Sequence, residues 1–255
     1  MLSIIIPSYK DPLLHKTIDD LLDKAGGEIE IIPVLDGYWP EIPIKDDPRI
    51  KVVHLGKNRG MRGAINAGVL VSKGEYLMRV DEHQIFGRNY DTIITENMED
   101  NWIVTPRRFF LDTEKWEVMD IPYVDFMKLK IVNYDRGQKF SGVDAPGDDS
   151  KPIQESMAMQ GSCWFMKRSW WDKVIGELQS EGYGTHYQDS HEMVFKTWKA
   201  GGKLMVNKNT NHAHKHRKFP RTHSYGGKLA DDCFAYSLEQ WENYYLNEIV
   251  PKWKN

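Results

Sequence analysis

An α/β fold with a mostly parallel sheet is predicted by two features of the first 106 residues. Strand-like and helix-like stretches alternate, and the strand runs are continuously apolar, without an apolar/polar alternation. A strand that is apolar on both sides is buried on both, which is the situation in parallel sheets covered by helices. With 255 residues, of which 40% are hydrophobic, the chain can bury the core of one large domain of this class.

The elements follow in order. LSIIIP (2–7) is a β-branched run stopped by Pro7. Over 13–25, Leu14, Ile18, Leu21, Leu22 and Ala25 recur at helical spacing, and Gly26-Gly27 ends the helix. IEIIPVLD (29–36) is the second strand, followed by the turn-rich GYWPEIP; IKVVHL (50–55) is the third. Gly60 and Gly74 bound a helix over 60–74, which leads into the strand EYLMRVD (75–81); WIVTP (102–106) is a fifth strand. Residues 134–156, rich in Gly, Asp, Pro and Ser, read as a long loop, a frequent form for a functional lid. Residues 161–178 read as a strand running into a helix, 189–202 as a helix closed by glycines, and KLMVN (203–207) as the last strand. A polar basic loop (212–227) and an amphipathic helix (229–250) complete the chain.

Composition excludes several function classes. The net charge of −3 makes no global polycation for nucleic acid or membrane. The charge is uneven, however: residues 203–228 carry Lys203, Lys208, Lys215, Arg217, Lys218, Arg221 and Lys228 and no acid, a local anion-attracting surface. The only cysteines, Cys163 and Cys233, form no C-x-x-C pair, which fits a reducing compartment. The opening apolar run of about six residues is too short for a leader, and no other stretch reaches the roughly 18 apolar residues of a membrane span. The expectation is a soluble, cytoplasmic protein.

In open parallel sheets, ligands collect beyond the carboxyl ends of the strands. Four polar groups fall there: Pro7-Ser8-Tyr9, Asp36, Asn58-Arg59 and Asp81-Glu82-His83. One polar strand end is ordinarily a solvated loop; four along one rim favour a ligand cleft. Asp81 and His83, two residues apart, point to the same side of an extended segment, and Glu82 points to the other. A carboxylate and an imidazole make half a metal site, and His212, His214 and His216 are candidates for a third ligand. The plainer reading of those histidines is a basic loop. A carboxylate–imidazole set with open positions suits Mn²⁺ or Mg²⁺ bridging a diphosphate, and zinc less well without thiolates. Asp189, Glu192 and Lys196 share one helix face. Asp189 either complements the helix dipole or is an acid aimed at a reacting centre.

This ordered set resembles the family 2 glycosyltransferases and the related polypeptide N-acetylgalactosaminyltransferases, which share the Rossmann-like GT-A fold. The resemblance covers about residues 1–217: SIIIPSY, VLDG, the NRGMRGAINAG segment running into VDEH, GSCWFMKRSWWDKVIGEL and QDSHEMVFKTWKAGG. It implies a GT-A domain over 1–228, with 1–106 holding the nucleotide sugar and 107–228 the acceptor and catalytic groups, and 229–255 packed on the same domain. Asp36 would bind the nucleoside, and Pro7, Tyr9, Asn58, Arg59, Arg62, Asp81 and Arg217 would complete the nucleotide-sugar site. Asp81, His83 and His214 would hold Mn²⁺ (or Mg²⁺), since Asp81-Glu82-His83 stands at the D-x-D or D-x-H motif. Asp189 falls at the acid of the catalytic region and Glu192 at its second acid. Asp189 replaces a glutamate of the N-acetylgalactosaminyltransferases and follows Gln188, which leaves inverting and retaining chemistry both open.

The function implied is metal-dependent transfer of a sugar from a UDP-sugar to an acceptor hydroxyl on a glycan, a small molecule or a modified base in DNA. Loop 215–227, with Gly226-Gly227 as hinge, would be a lid over the donor. Three rivals stand beside it. A sugar-phosphate nucleotidyltransferase would carry a glycine-rich loop where PSYKDP stands, and a metal-dependent hydrolase would concentrate its His and Asp in one segment. A non-catalytic nucleotide- or nucleic-acid-binding module would use the basic stretch, with Trp198, Phe219, Tyr225 and Phe234 to stack bases.

Overall fold

A computed structural model describes residues 1–145, 147–215 and 227–253, apart from the side chain of Phe126. The first half follows the expected alternation: β1 (Leu2–Ser8), α1 (Leu14–Lys24), β2 (Ile29–Asp36), β3 (Val53–Leu55), α2 (Gly60–Val71), β4 (Tyr76–Val80), the short β5 (Gln84–Phe86), α3 (Tyr90–Glu96) and β6 (Trp102–Asp112). The second half adds β7 (Glu117–Val118), β8 (Phe126–Tyr134), β9 (Gly137–Ala145), β10 (Ile153–Glu155), β11 (Cys163–Lys167), α4 (Arg168–Trp170), α5 (Asp189–Lys199), β12 (Lys203–His214), α6 (Lys228–Tyr244) and α7 (Val250–Lys252). Wide π-turns extend α4 through Ile175 and join α6 to α7.

The main sheet runs β10-β12-β6-β11-β4-β1-β2-β3. β3, β2, β1 and β4 are mutually parallel, as are β6 and β12; β11 lies antiparallel between β4 and β6, and β10 is antiparallel to β12. Ile4, Ile5, Ile6, Ile31, Ile32, Leu77 and Met78 are wholly buried, as continuous apolar strand runs require.

Helix α2 lies close against β1 and β2 because Gly68 faces them. A Cβ at this position would stand 2.4 Å from Cγ2 of Ile5 and 3.1 Å from Cγ2 of Val34. Alanine favours a helix by about 1 kcal/mol over glycine, but overpacking a filled core costs about 1–3 kcal/mol. G68A is therefore expected to lower stability by about 1 kcal/mol net, read as a lower urea midpoint at unchanged slope.

Two expectations are corrected. Residues 134–156 are not one long loop, since Gly137–Ala145 is the returning strand of a hairpin with β8. The first strand has a signal in FMKLKIVNY, where exposed Lys128 and Lys130 flank buried Leu129. Polar β9 has none of its own, and its partner β8 defines it. The hairpin docks on the C-terminal helices: Tyr245 donates to the Leu129 carbonyl at 2.7 Å, and Phe140 meets the rings of Phe195 and Tyr245 edge-on.

The last strand, in turn, does not stop at Asn207. A bulge between Asn207 and Asn211 lets β12 continue to His214, pairing with both β6 and β5. Thus His212-Ala213-His214 is strand and not the start of a loop, its backbone held on both edges. Residues 216–226, and with them His216, Arg217, Lys218, Phe219, Tyr225 and Gly226 of the expected lid, lie outside the described residues. Among the described residues no helix is long and apolar enough to cross a membrane.

Candidate active site

Asp81 leaves the carboxyl end of β4, where its N–H donates to the Ser162 carbonyl at 3.0 Å. The pairing of β12 with β5 sets His214 opposite Gln84, and the Lys215 N–H donates to the His83 carbonyl at 3.2 Å. This register brings together three side chains from two distant segments. Oδ2 of Asp81 lies 3.1 Å from Nε2 of His214 and 3.9 Å from Nε2 of His83, and the two Nε2 atoms are 3.2 Å apart.

The protonation pattern follows from the neighbours. Nδ1 of His83 lies 3.0 Å from Oδ2 of Asp11, a carboxylate buried completely. Asp11 is thus an acceptor for an Nδ1–H of His83, an arrangement that leaves Nε2 facing Asp81 and His214. Burial pushes the Asp81 carboxyl up. The Arg79 guanidinium 2.5 Å away, the His214 hydrogen bond and the nearby His83 outweigh burial and hold it well below the usual carboxylate range. Adjacent ligands about 2.1 Å from one metal stand about 3 Å apart. The 3.1 and 3.2 Å separations match that spacing, so the donor set fits a divalent cation.

Asp11 is not among the residues that the sequence singles out, where PSYKDP figures only as lacking a glycine-rich phosphate loop. Its other oxygen accepts the Leu13 N–H at 2.8 Å, so one carboxylate both starts α1 and orients His83. The signal was available: a histidine metal ligand needs an acceptor at its second ring nitrogen, and Asp11 is the acid in the loop after β1. Glu82 accepts the Tyr9 N–H at 2.6 Å, tying the ends of β1 and β4 together, and a carboxylate oxygen of it lies within 4.8 Å of ligand atoms of Asp11 and His83.

His212 is a core residue. It is fully buried beside Phe86, and burial drives its pKa well below the ordinary value. Of the three candidate histidines, His214 joins the cluster, His212 does not, and His216 is outside the described residues.

The nucleotide-side residues are placed unevenly. Both Asp36 oxygens accept backbone N–H groups, from Arg59 at 2.6 Å and Gly60 at 2.8 Å, so this strand-end acid caps α2. Pro7 is buried within β1, and the half-buried Tyr9 meets Tyr38 edge-on at 5.8 Å. Tyr38 is hydrogen-bonded to Ser8, and burial pushes its phenol up to about 12. Asn58 and Arg59 line a groove of about 790 Å³ between α2 and the 168–185 segment, whose lining includes none of the three cluster residues. Arg62 and Glu192 correct the expectation that they contact the donor or the reacting centre. Both are completely buried and ion-paired to each other, because each projects from the core side of its helix.

Asp189 opens α5 and is 7% exposed, with Oδ2 enclosed and without a hydrogen-bond partner among the described residues. A Cβ at Gly161 would stand 3.5 Å from Cβ and Oγ of Ser190, so the first turn of α5 approaches the residue preceding Ser162, whose carbonyl accepts from Asp81. Burial takes the neighbouring His191 down to about 4, leaving it neutral. Trp198 is half-buried against the core, and Phe234 is buried with Tyr134 and Tyr187. Phe219 and Tyr225 lie outside the described residues.

Residues 3–175 match the profile of glycosyl transferase family 2. The chain belongs to this family. It is 30% identical over 105 residues to glycosyltransferase GlyG of Streptococcus pneumoniae, covering 38% of this chain and 32% of GlyG. It is also 30% identical over 105 residues to an uncharacterized glycosyltransferase of Rickettsia bellii, covering 39% of this chain and 15% of that protein. The fold superposes on GalNAc-T7, solved with UDP, GalNAc and Mn²⁺, with a TM-score of 0.75 at 17% identity over 96% of this chain and 50% of that one. Residues 1–349 of Staphylococcus aureus TarS, solved with UDP-GlcNAc, give 0.62 at 12% identity, covering 96% and 66%. The chain thus spans about a third or less of the curated family 2 relatives and about half of GalNAc-T7. The helix-flanked, mostly parallel sheet is the GT-A fold expected from the sequence.

Proposed function

We propose that this family 2 protein is a metal-dependent glycosyltransferase that moves a sugar from a UDP-sugar to an acceptor hydroxyl. The observation that carries the reading is the convergence of Asp81, His83 and His214 at the carboxyl ends of the strands. UDP and Mn²⁺ in GalNAc-T7 and UDP-GlcNAc in TarS support the donor class. These three residues would hold the ion, and two imidazoles with one carboxylate suit Mn²⁺ better than Mg²⁺, which prefers oxygen ligands. Bound there, the ion offsets the negative charge that builds on the departing diphosphate.

The chain's own residues do the rest. Arg79 keeps Asp81 ionised and fixed, and Asp11 holds the His83 ring with Nε2 toward the cleft. In an inverting transfer, the acceptor oxygen bonds to the anomeric carbon as the bond to the diphosphate oxygen breaks, UDP leaves with that electron pair, and Asp189 takes the acceptor proton. In a retaining transfer, Asp189 instead orients the sugar and stabilises positive charge at the anomeric centre. The acceptor is a hydroxyl of a glycan, a small molecule or a modified DNA base, and two free cysteines support a cytoplasmic location.

The test is turnover of UDP-glucose, UDP-galactose, UDP-GlcNAc and UDP-GalNAc with and without Mn²⁺. Release of UDP that needs the ion is the expected result, and its absence with every donor refutes the reading. Because Asp11 orients a ligand, D11N is expected to weaken Mn²⁺ binding about 10–100-fold while the fold persists. Titration calorimetry with Mn²⁺ alone checks this, and wild-type affinity would remove Asp11 from the site.

A further inference from the structure

We infer that Arg62 is a positioning residue for Asp189, an inference that rests on the proposed sugar transfer. Arg62 is fully buried in the first turn of α2, yet its partners lie more than 115 residues away in the segment leading to α5. Nε and Nη2 donate to the Tyr187 carbonyl at 3.0 and 2.7 Å, and Nη1 donates to the Gln179 carbonyl at 2.9 Å and to Glu192. The Arg62 N–H donates to the Thr185 carbonyl at 3.2 Å, and the guanidinium lies over the Tyr183 ring, 4.3 Å from its centre. One side chain therefore grips residues 179–187 at both ends. Only glycine fits Gly60, where φ is +74° and a Cβ would stand 2.5 Å from Cβ of Thr185.

The grip has a specific consequence for Asp189. The segment it holds contains left-handed Gly182 and Gly184 and ends in Gln188, at φ 55° and ψ 21°. A left-handed conformation at a non-glycine residue persists only where its surroundings fix it. The Tyr187 carbonyl belongs to the peptide plane preceding Gln188, so the fork of Arg62 that holds this oxygen also sets the φ of Gln188. On the other side, the Gln188 side chain donates to the Phe140 carbonyl at 3.2 Å and accepts from Ser237 at 3.3 Å. Asp189 is the next residue, so the aim of its carboxylate depends on that torsion. Glu192, one turn further on, is pinned by Arg62 and by Lys196 at 2.7 Å, which fixes the axis of α5 as well. Arg62 thus acts through Gln188 and the first turn of α5, without touching substrate.

The experiment pairs R62M/E192M with R62K. The double variant removes both charges together, so neither is left buried alone, and Lys196 keeps the Ile175 and Glu177 carbonyls. R62K keeps the charge but replaces the planar fork with one ammonium. Both are measured for UDP–Mn²⁺ affinity, for Mn²⁺-dependent hydrolysis of whichever of the four UDP-sugars wild type uses fastest, and for amide exchange. UDP–Mn²⁺ affinity is expected to stay within about threefold of wild type, while kcat falls about thirtyfold in the double variant and less in R62K, with KM nearly unchanged. Amides 188–191 are expected to exchange about tenfold faster or more, with β1 and β4 unaffected. A kcat within about threefold of wild type, or unchanged exchange at 188–191 in either folded variant, overturns the inference. If wild type turns over no UDP-sugar, the sugar-transfer reading fails separately, and amide exchange alone decides whether Arg62 holds the start of α5.

Discussion

D81N is expected to weaken UDP–Mn²⁺ binding about 100-fold or more while the protein stays folded. The variant isolates the charge: the amide still offers an oxygen to Arg79, so the buried guanidinium is not stranded as it would be by alanine. What is lost is the anionic oxygen facing both Nε2 atoms. H214A should give a loss of the same order from the opposite strand, and combining the two should add little, because the ligands of one ion act as a unit. Calorimetric titration with UDP in the presence and absence of Mn²⁺ separates these outcomes. Wild-type affinity in D81N would show that the cluster is a buried polar network and not a metal centre.

D189N is expected to lower kcat about 10²–10⁴-fold, the range for loss of a general acid or base, with UDP–Mn²⁺ affinity unchanged. Asp189 is not one of the three clustered ligands, and its Oδ2 has no hydrogen-bond partner among the described residues to disturb. The anomeric configuration of the product, read by proton NMR, assigns the role: inversion makes Asp189 the base, and retention makes it a charge-stabilising or orienting group. A kcat within about threefold of wild type would exclude both roles.

How far the sequence discloses the site depends on how local each determinant is. Asp81 and His83 are two positions apart on one strand end, so their shared side follows from strand geometry alone. His214 is 131 residues from His83, and its place is set by a bulge and a β5 pairing that leave no periodic trace. Only the resemblance to the family singled it out. Asp11 was legible in principle, as the acceptor a ligating histidine needs, but not by pattern. Arg62 and Glu192 show the opposite failure. Opposite charges on two helices read as a cleft lining, whereas the packing of α2 near α5 encloses them as a pair. The strands of the parallel half were legible because continuous apolar runs have few other uses, whereas polar β9 became a strand only through its partner.

The pairing of β5 with β12 also orders events in time. A chain emerges from the ribosome from its N-terminus, at about 5–20 residues per second. Asp11, Asp81 and His83 are therefore present for several seconds before His214 is made. During that interval the edge of β6 that β12 will occupy lacks its native neighbour, and the cluster is one imidazole short. On the proposed reading, competence to capture an ion would arrive with β12, the strand that carries His214. Because an ion that binds only the finished fold also stabilises it, a divalent cation would select completed chains from partial ones.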